Sequence, residues 1–423
     1  MRQGRMEVPG IQRRTVGLLA VGQVLGGLGM GSTLSIGALL TVSVSGSAAW
    51  SGMAATGLTL GAALLAIPLA RLAARRGRRF ALTLGSVIAL AGAGVALLAA
   101  MLPSFGLLLL AFAMLGAGSA TNLQARFAAA DLASPQTRGR DISLVVWSTT
   151  IGAVAGPNLL GPGETLGAAL GLPDLTGPFL FTIVAQLLAA VVYAAGLRPD
   201  PLLMSRQQPS EDGVIGAAVI EPSRNRALFA ILTLALSHAV MVGVMSMTPV
   251  HLSTHGASLV IVGVTISLHI AGMYALSPVW GIASDRLGRV PTILIGQGLL
   301  VAALMFTGFG AEQSGSVTVG LILLGLGWSA STVSASALVT ESVLLEDRPR
   351  IQGRADFSMN LAGTAGGALA GVALASAGYS GLSFIALALV ATVIIASALL
   401  RTPPPVVSEV QENPHDTPGA GAA

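Results

Sequence analysis

Along this chain, apolar residues gather into long unbroken runs parted by short polar interruptions. This is the pattern of segments that cross a lipid bilayer rather than alternate around a water-soluble core. Each run reaches the ~20 residues that a helix needs to span hydrocarbon. The first extends from Thr15 to about Val42, and others follow near 48–70, 80–101, 106–130, 142–162 and 176–197. After a hydrophilic connector from Arg198 to Arg226, the runs resume near 227–250, 258–280, 291–310, 317–340, 356–377 and 382–400. The predicted fold is an all-α membrane bundle of about twelve transmembrane helices. The basic segment 1–14 ahead of the first run looks like the start of a signal peptide, but the run is too long and no small-residue cleavage site follows it. It is therefore read as the first span.

The polar interruptions repeat. Gly281 to Ile293 reads GIASDRLGRVPTI and Ala70 to Leu82 reads ARLAARRGRRFAL, with the pairs Gly77-Arg78 and Gly288-Arg289 separated by 211 positions. The same offset relates Leu115-Gly116 and Thr121 to Leu326-Gly327 and Thr332. Two parallel copies of one membrane unit follow, a repeat architecture in which the site lies between the copies. The expected organisation is an N-terminus over 1–14, one six-helix half over 15–197, a linker over 198–226, a second half over 227–401, and a tail over 402–423 too poor in apolar residues to fold.

Both interruptions resemble the cytoplasmic signature of the major facilitator superfamily, G-x-L-A-D-R-x-G-R-R/K. The second copy keeps it at Gly281, Asp285, Arg286, Gly288 and Arg289; the first has Ala70 and Ala74 in place of the glycine and the aspartate but keeps Arg75, Gly77 and Arg78. The resemblance implies two pseudo-symmetric six-helix bundles that alternate between inward-open and outward-open states. In the fifth span, Gly152 to Pro162, GAVAGPNLLGP is similar to the G-P-x-x-G-G signature associated with exporters of this family through Gly156, Pro157 and Gly161. Proline bends a helix and glycine admits close neighbours, so Gly152, Gly156, Pro157 and Gly161 are candidates for the kink at which the halves pivot. An ordinary proline kink is the alternative.

Composition fits this picture. The chain is 53% hydrophobic and 9% charged, against about 25% charged for soluble domains. All 22 basic residues are arginine, and cysteine is absent, which excludes disulfides and thiolate metal sites. The arginines are scattered singly among turns and aromatics make up 4%, so no nucleic-acid surface is expected. Arginine occupies the N-terminus, both signature loops, Arg138 and Arg140, the linker, Arg348 to Arg354, and Arg401, but none of the alternate loops. The positive-inside rule then places both termini in the cytoplasm, in a multi-pass cell (inner) membrane protein. The alternate loops, around Ser45, Pro103, Glu164 to Asp174, His251 to His255, Glu312 and Tyr379, face outward.

Polar side chains at membrane depth are costly, about 2.5–3.5 kcal/mol for a charge, and each is a candidate for function. Span one has Gln23 and no acid; span four has Asn122, Gln124 and Arg126, with Asp131 following. The partner expected for Arg126 is Asp131 or Asp141, either as a structural clamp or as a site drawing an anionic substrate group. Asn158 stands beside the proline. His238, Met241 and Met245 follow an i, i+3, i+7 spacing that puts an imidazole and two thioethers on one helical face, and His269 lies mid-way along span eight. With no acid at the midplane, a histidine is the expected proton carrier, unless it merely bonds a neighbouring helix. Asp131 with Arg138 and Arg140 mirrors Glu341 with Arg348 and Arg350; the pairs Gly139-Arg140-Asp141 and Gly353-Arg354-Asp356 open the next spans. These groups suit a gate that holds the cytoplasmic ends together and lets go on rocking. A solvated face without a gating role is the alternative.

No P-loop, HExxH or GxSxG accompanies the chain, so neither an enzyme nor an ATP-driven pump is expected, and no cofactor or metal is implied. The expected function is proton-coupled export of a small hydrophobic or amphipathic molecule by a monomer in the lipid bilayer, with protons as co-substrate. Uptake of a nutrient or metabolite, or a non-transporting sensor on the same fold, are the alternatives.

Overall fold

The computed structural model describes residues 3–46, 50, 53–207, 223–257 and 259–400, all in helices and short turns with no strand among them. The tail over 402–423 lies outside the described residues, as does most of the connector. The helices are α1 (Gln3–Ser45), α2 (Met53–Arg76), α3 (Arg78–Met101), α4 (Phe105–Ala128), α5 (Arg138–Asn158), α6 (Leu160–Ala169), α7 (Pro178–Val191), α8 (Pro201–Gln207), α9 (Arg224–Thr254), α10 (Leu259–Tyr274), α11 (Ser277–Leu287), α12 (Arg289–Phe309), α13 (Ser314–Glu341) and α14 (Arg348–Ala398). Helix is the form that satisfies its own backbone hydrogen bonds in lipid, which is why the apolar runs take it. Nine described stretches are long and apolar enough to cross a membrane, and α1 and α5 stand where the first and fifth spans are predicted. The 51-residue α14 contains two of the predicted spans, parted at Gly378, whose φ of 70° and ψ of −178° interrupt the helical path.

Several boundaries differ from the sequence reading. Helix α1 begins at Gln3, within the stretch expected to be a non-spanning N-terminus. Span five is two helices, α5 and α6, meeting at Leu159, and α6 runs on to Ala169 through the expected outer loop. Span eight is likewise α10 and α11, and α9 continues to Thr254 through His251. The connector begins with the short helix α8. Polar residues near a helix end do not stop it when the next residues keep helical geometry, so loop limits read from polarity fall too early.

The two halves repeat one packing scheme. Helices α1 and α5 pack as α9 and α14 do, α3 and α4 as α12 and α13, and α2 and α4 as α10 and α13. The turns expected to be equivalent are so in backbone: Gly77 has φ 88° and ψ 169°, and Gly288 has φ 100° and ψ 162°. A side chain is strained at such a φ, which accounts for glycine at both.

Candidate functional site

The hydrogen bonds and ion pairs described between the halves cluster at the arginine-rich end. Arg289, entering α12 after Gly288, bonds both oxygens of Glu341, at 2.6 Å for the nearest contact, and also reaches Asp285. It donates across the seam to the Pro135 carbonyl at 2.9 Å, and Arg138 of the first half reaches Glu341 at 3.2 Å. The Asp285 carboxylate accepts from the backbone amides of Gly139 and Arg140, each at 2.9 Å. These amides belong to the first turn of α5, where unpaired N–H groups and the helix dipole favour an anion. On the other seam Arg78 holds Asp131 through two bonds, the nearer at 2.8 Å, and donates across to Gln352. Arg78 and Asp131 have no exposed side-chain surface, so each depends on the other.

The seams are built alike in backbone and unlike in charge. Between α5 and α11, a Cβ on Gly281 would lie 2.6 Å from the Gly139 carbonyl, so both helices need glycine there. Between α2 and α14 the corresponding residues are Ala70 and Gly353, whose missing side chain leaves the room that Ala70 takes. Ala74 stands where Asp285 does in the other copy, and the clamp on a helix N-terminus is absent from this seam.

Two pairings expected from the sequence are corrected. Arg126 bonds neither Asp131 nor Asp141; it crosses to Asp356 of the second half at 2.6 Å. Asp131 is held by Arg78 rather than by Arg138 or Arg140, because the turn at Gly77 sends Arg78 inward along α3. Asp141 accepts instead from Gln12 on α1 at 2.7 Å and from exposed Arg140 at 3.2 Å. Arg348 donates to the Thr340 carbonyl at 3.0 Å, while Arg75, Arg286 and Arg354 are exposed.

Most of the amides at membrane depth join helices within one half. Gln23 bonds Thr149 at 3.2 Å, and Gln124 bonds the Ala66 carbonyl at 3.3 Å. Asn122 lies against Gly26 with its amide nitrogen unpartnered. Gly152 allows α5 to touch α1, since a Cβ there would lie 2.7 Å from the Leu28 amide nitrogen. Gly161 has open space instead, against the expectation of a close neighbour. The side chains of Pro157 and Asn158 lie outside the described residues, and α5 ends at that point. The helical face predicted to carry an imidazole and two thioethers is divided: Met241 is buried in the core of the second half and Met245 packs against that core.

The histidines have partners that the sequence did not show. The indole N–H of Trp328 donates to Nδ1 of His238 at 3.1 Å. Indole is a donor only, so this Nδ1 accepts and the ring proton sits on Nε2. His269 is fully buried and donates from Nδ1 to the Leu321 carbonyl at 2.7 Å, which ties α10 to α13. Trp328 also meets Tyr274 edge-on at 5.8 Å between ring centroids, and Tyr274 packs against a buried cluster formed by Ala130, Ile142 and Val146 of the first half with Val333 and Ala337 of the second. Trp328, Tyr274 and Gln352 were not singled out from the sequence. The signal available for the first two was an aromatic in a span of a chain with 4% aromatics.

The family model described as Major Facilitator Superfamily matches residues 19–276 and 252–418. The chain is similar to the MFS-type transporter YdeG of Bacillus subtilis (strain 168), 37% identical over 367 residues that cover 85% of each chain. It is 28% identical over 349 residues to the riboflavin transporter RfnT of Brucella anthropi, covering 82% of this chain and 85% of that one. Among solved structures, the human organic anion transporter MFSD10 (TETRAN) superposes with a TM-score of 0.72 at 18% identity, over 91% of this chain and 99% of that one.

Proposed function

The chain belongs to the Major Facilitator Superfamily, and we propose that it exports a small hydrophobic or amphipathic molecule from the cell in exchange for protons. It is a transporter rather than an enzyme. The observation that carries the proposal is the chemistry of the seam beyond the closed end. There the rings of Trp328, Tyr274 and His238 gather near the first half, and the buried charges are compensated by partners. Such a lining suits an apolar body with a few hydrogen-bonding groups. The arginine-rich end faces the cytoplasm in this proposal, both termini with it, and a single chain suffices. The halves over 15–197 and 227–401 rock about the seam, with the network at Asp285, Arg289, Glu341 and Arg138 holding the closed state.

The test is purified protein in proteoliposomes, with a panel of lipophilic cations, neutral aromatic compounds and organic anions. Proton release on addition of one class supports exchange and names the class. Silence across the panel with folded protein overturns the proposal.

A second reading is uptake of a planar aromatic metabolite. The ring cluster favours it, as does the similarity to a protein named a riboflavin transporter. Reversing the imposed pH gradient separates the two, because an exporter accumulates its substrate on the acid side and a proton-driven importer on the other.

A further inference from the structure

Five acids lie in or beside the seam, and four have every oxygen engaged. Asp131 is held at both oxygens by Arg78, Asp141 by Gln12 and Arg140, Asp285 by two amides and Arg289, and Glu341 by Arg289 and Arg138. Asp356 is different. It is fully buried, its Oδ1 accepts a single bond from Nη2 of Arg126, and its Oδ2 has no partner. Nε of Arg126 is buried without a partner as well. A buried carboxylate with one idle oxygen retains a lone pair on which a proton can sit.

We propose that Asp356 carries the coupling proton, and that its protonation dissolves the Arg126 bridge between the halves. The proposal rests on the proton-coupled reading above. The step is a simple transfer: a proton from water forms an O–H bond at Oδ2, the carboxylate becomes a neutral acid, and the proton later leaves to water on the other side. Ionised Asp356 pairs with Arg126 and holds the arginine-rich end shut. Once Asp356 is neutral, Arg126 remains as a buried cation without a counter-charge, a strongly unfavourable state that separation and hydration relieve.

The surroundings fit this role. From α4 the charged group facing Asp356 is Arg126, and from α3 it is Arg78, already held by Asp131 and Gln352. On α2, Ala66 and Ala70 lie against Gly353 of α14, and on α9 His238, whose Nδ1 is taken by Trp328, lies against Gly363; α10 brings the Tyr274 phenol near Arg126. On α13, Thr340 bonds Gln352, and Glu341 is held by Arg289 and Arg138. Along α14 itself Arg348 lies toward the closed end. Toward the other end, Asn360 donates to the Asp356 carbonyl at 2.8 Å and Thr364 to the Asn360 carbonyl at 2.9 Å. The four-residue spacing puts Asn360 and Thr364 on the same face of α14 as Asp356.

The natural chain has no cysteine, so one introduced at Ala337, buried in a cluster shared with Ala130, Ile142 and Val146 of the first half, is a unique reporter. In full-length protein with Ala337→Cys, labelling by a water-soluble maleimide is expected to rise on the order of tenfold as Asp356 titrates, after correction for thiolate content. With Asp356→Asn added, labelling should be high and independent of pH; with Asp356→Glu the dependence should persist with a moved midpoint. The doubly neutral Asp356→Asn/Arg126→Gln leaves no uncompensated charge, and it too should lose the dependence if the single variant does not fold. A pH response that survives unchanged in these neutral variants overturns the assignment to Asp356. A wild type whose labelling and transport are both indifferent to pH overturns proton coupling itself.

Discussion

At Trp328 a single hydrogen bond decides the chemistry of a neighbour. Because indole only donates, His238 is fixed in the Nε2–H form and its other nitrogen is occupied, which turns a titratable group into a shaped, neutral wall of the seam. Trp328→Phe removes about 0.5–1.5 kcal/mol of this interaction. The expected result is a severalfold rise in KM for a transported compound with little change in kcat. Gly152→Val is the contrasting case, since its side chain would press into the backbone of α1 near Leu28. A loss of the order of 3 kcal/mol is expected, read as a lower melting temperature in detergent. Sequence reasoning found the polar and small residues at depth because each is improbable in an apolar run. It missed their partners, since the contacts of Arg126 with Asp356 and of His238 with Trp328 span 230 and 90 positions.

Among the elements, α5 and α11 show most directly how a signature becomes a mechanical part. Gly281 permits the crossing with Gly139, and Asp285 then lies over the first amides of α5. Asp285→Ala removes the charged acceptor of two amides at the start of α5, one part-buried and one exposed, at most about 1.5–3 kcal/mol from the closed state per bond. Faster labelling at Ala337→Cys is the expected outcome, and an unchanged rate would show that the clamp is idle. The sequence revealed these loops through glycine and charge, which cluster locally. Helix ends were harder to see: α1 starts at Gln3 and α6 runs to Ala169 because polar residues near an interface are compatible with either helix or loop. At α14 the parting expected around Tyr379 is a single glycine, Gly378, between two spans that otherwise run on as helix.

For the molecule as a whole, the 211-position repeat foretold two like halves, and the packing scheme repeats as expected. Which end is shut could not be read, because the same residues serve every state of an alternating cycle. The departure of the first copy from its signature was visible, however, and its outcome is that the two flanks are held by different contacts. One flank of the closed end is riveted by a carboxylate on a helix terminus; the opposite flank, α2 against α14, lacks that clamp and closes Gly353 on Ala66 and Ala70, with the Arg78–Gln352 and Arg126–Asp356 links beside it. If the flank that lacks the clamp parts first as the halves rock, the cleft gains a side door facing the membrane leaflet before a mouth facing water, and cargo would board from the lipid. Flux across a homologous series of compounds is expected to follow their partition coefficients rather than their aqueous concentrations, and a disulfide engineered across α2 and α14 should close that door while leaving the riveted flank untouched.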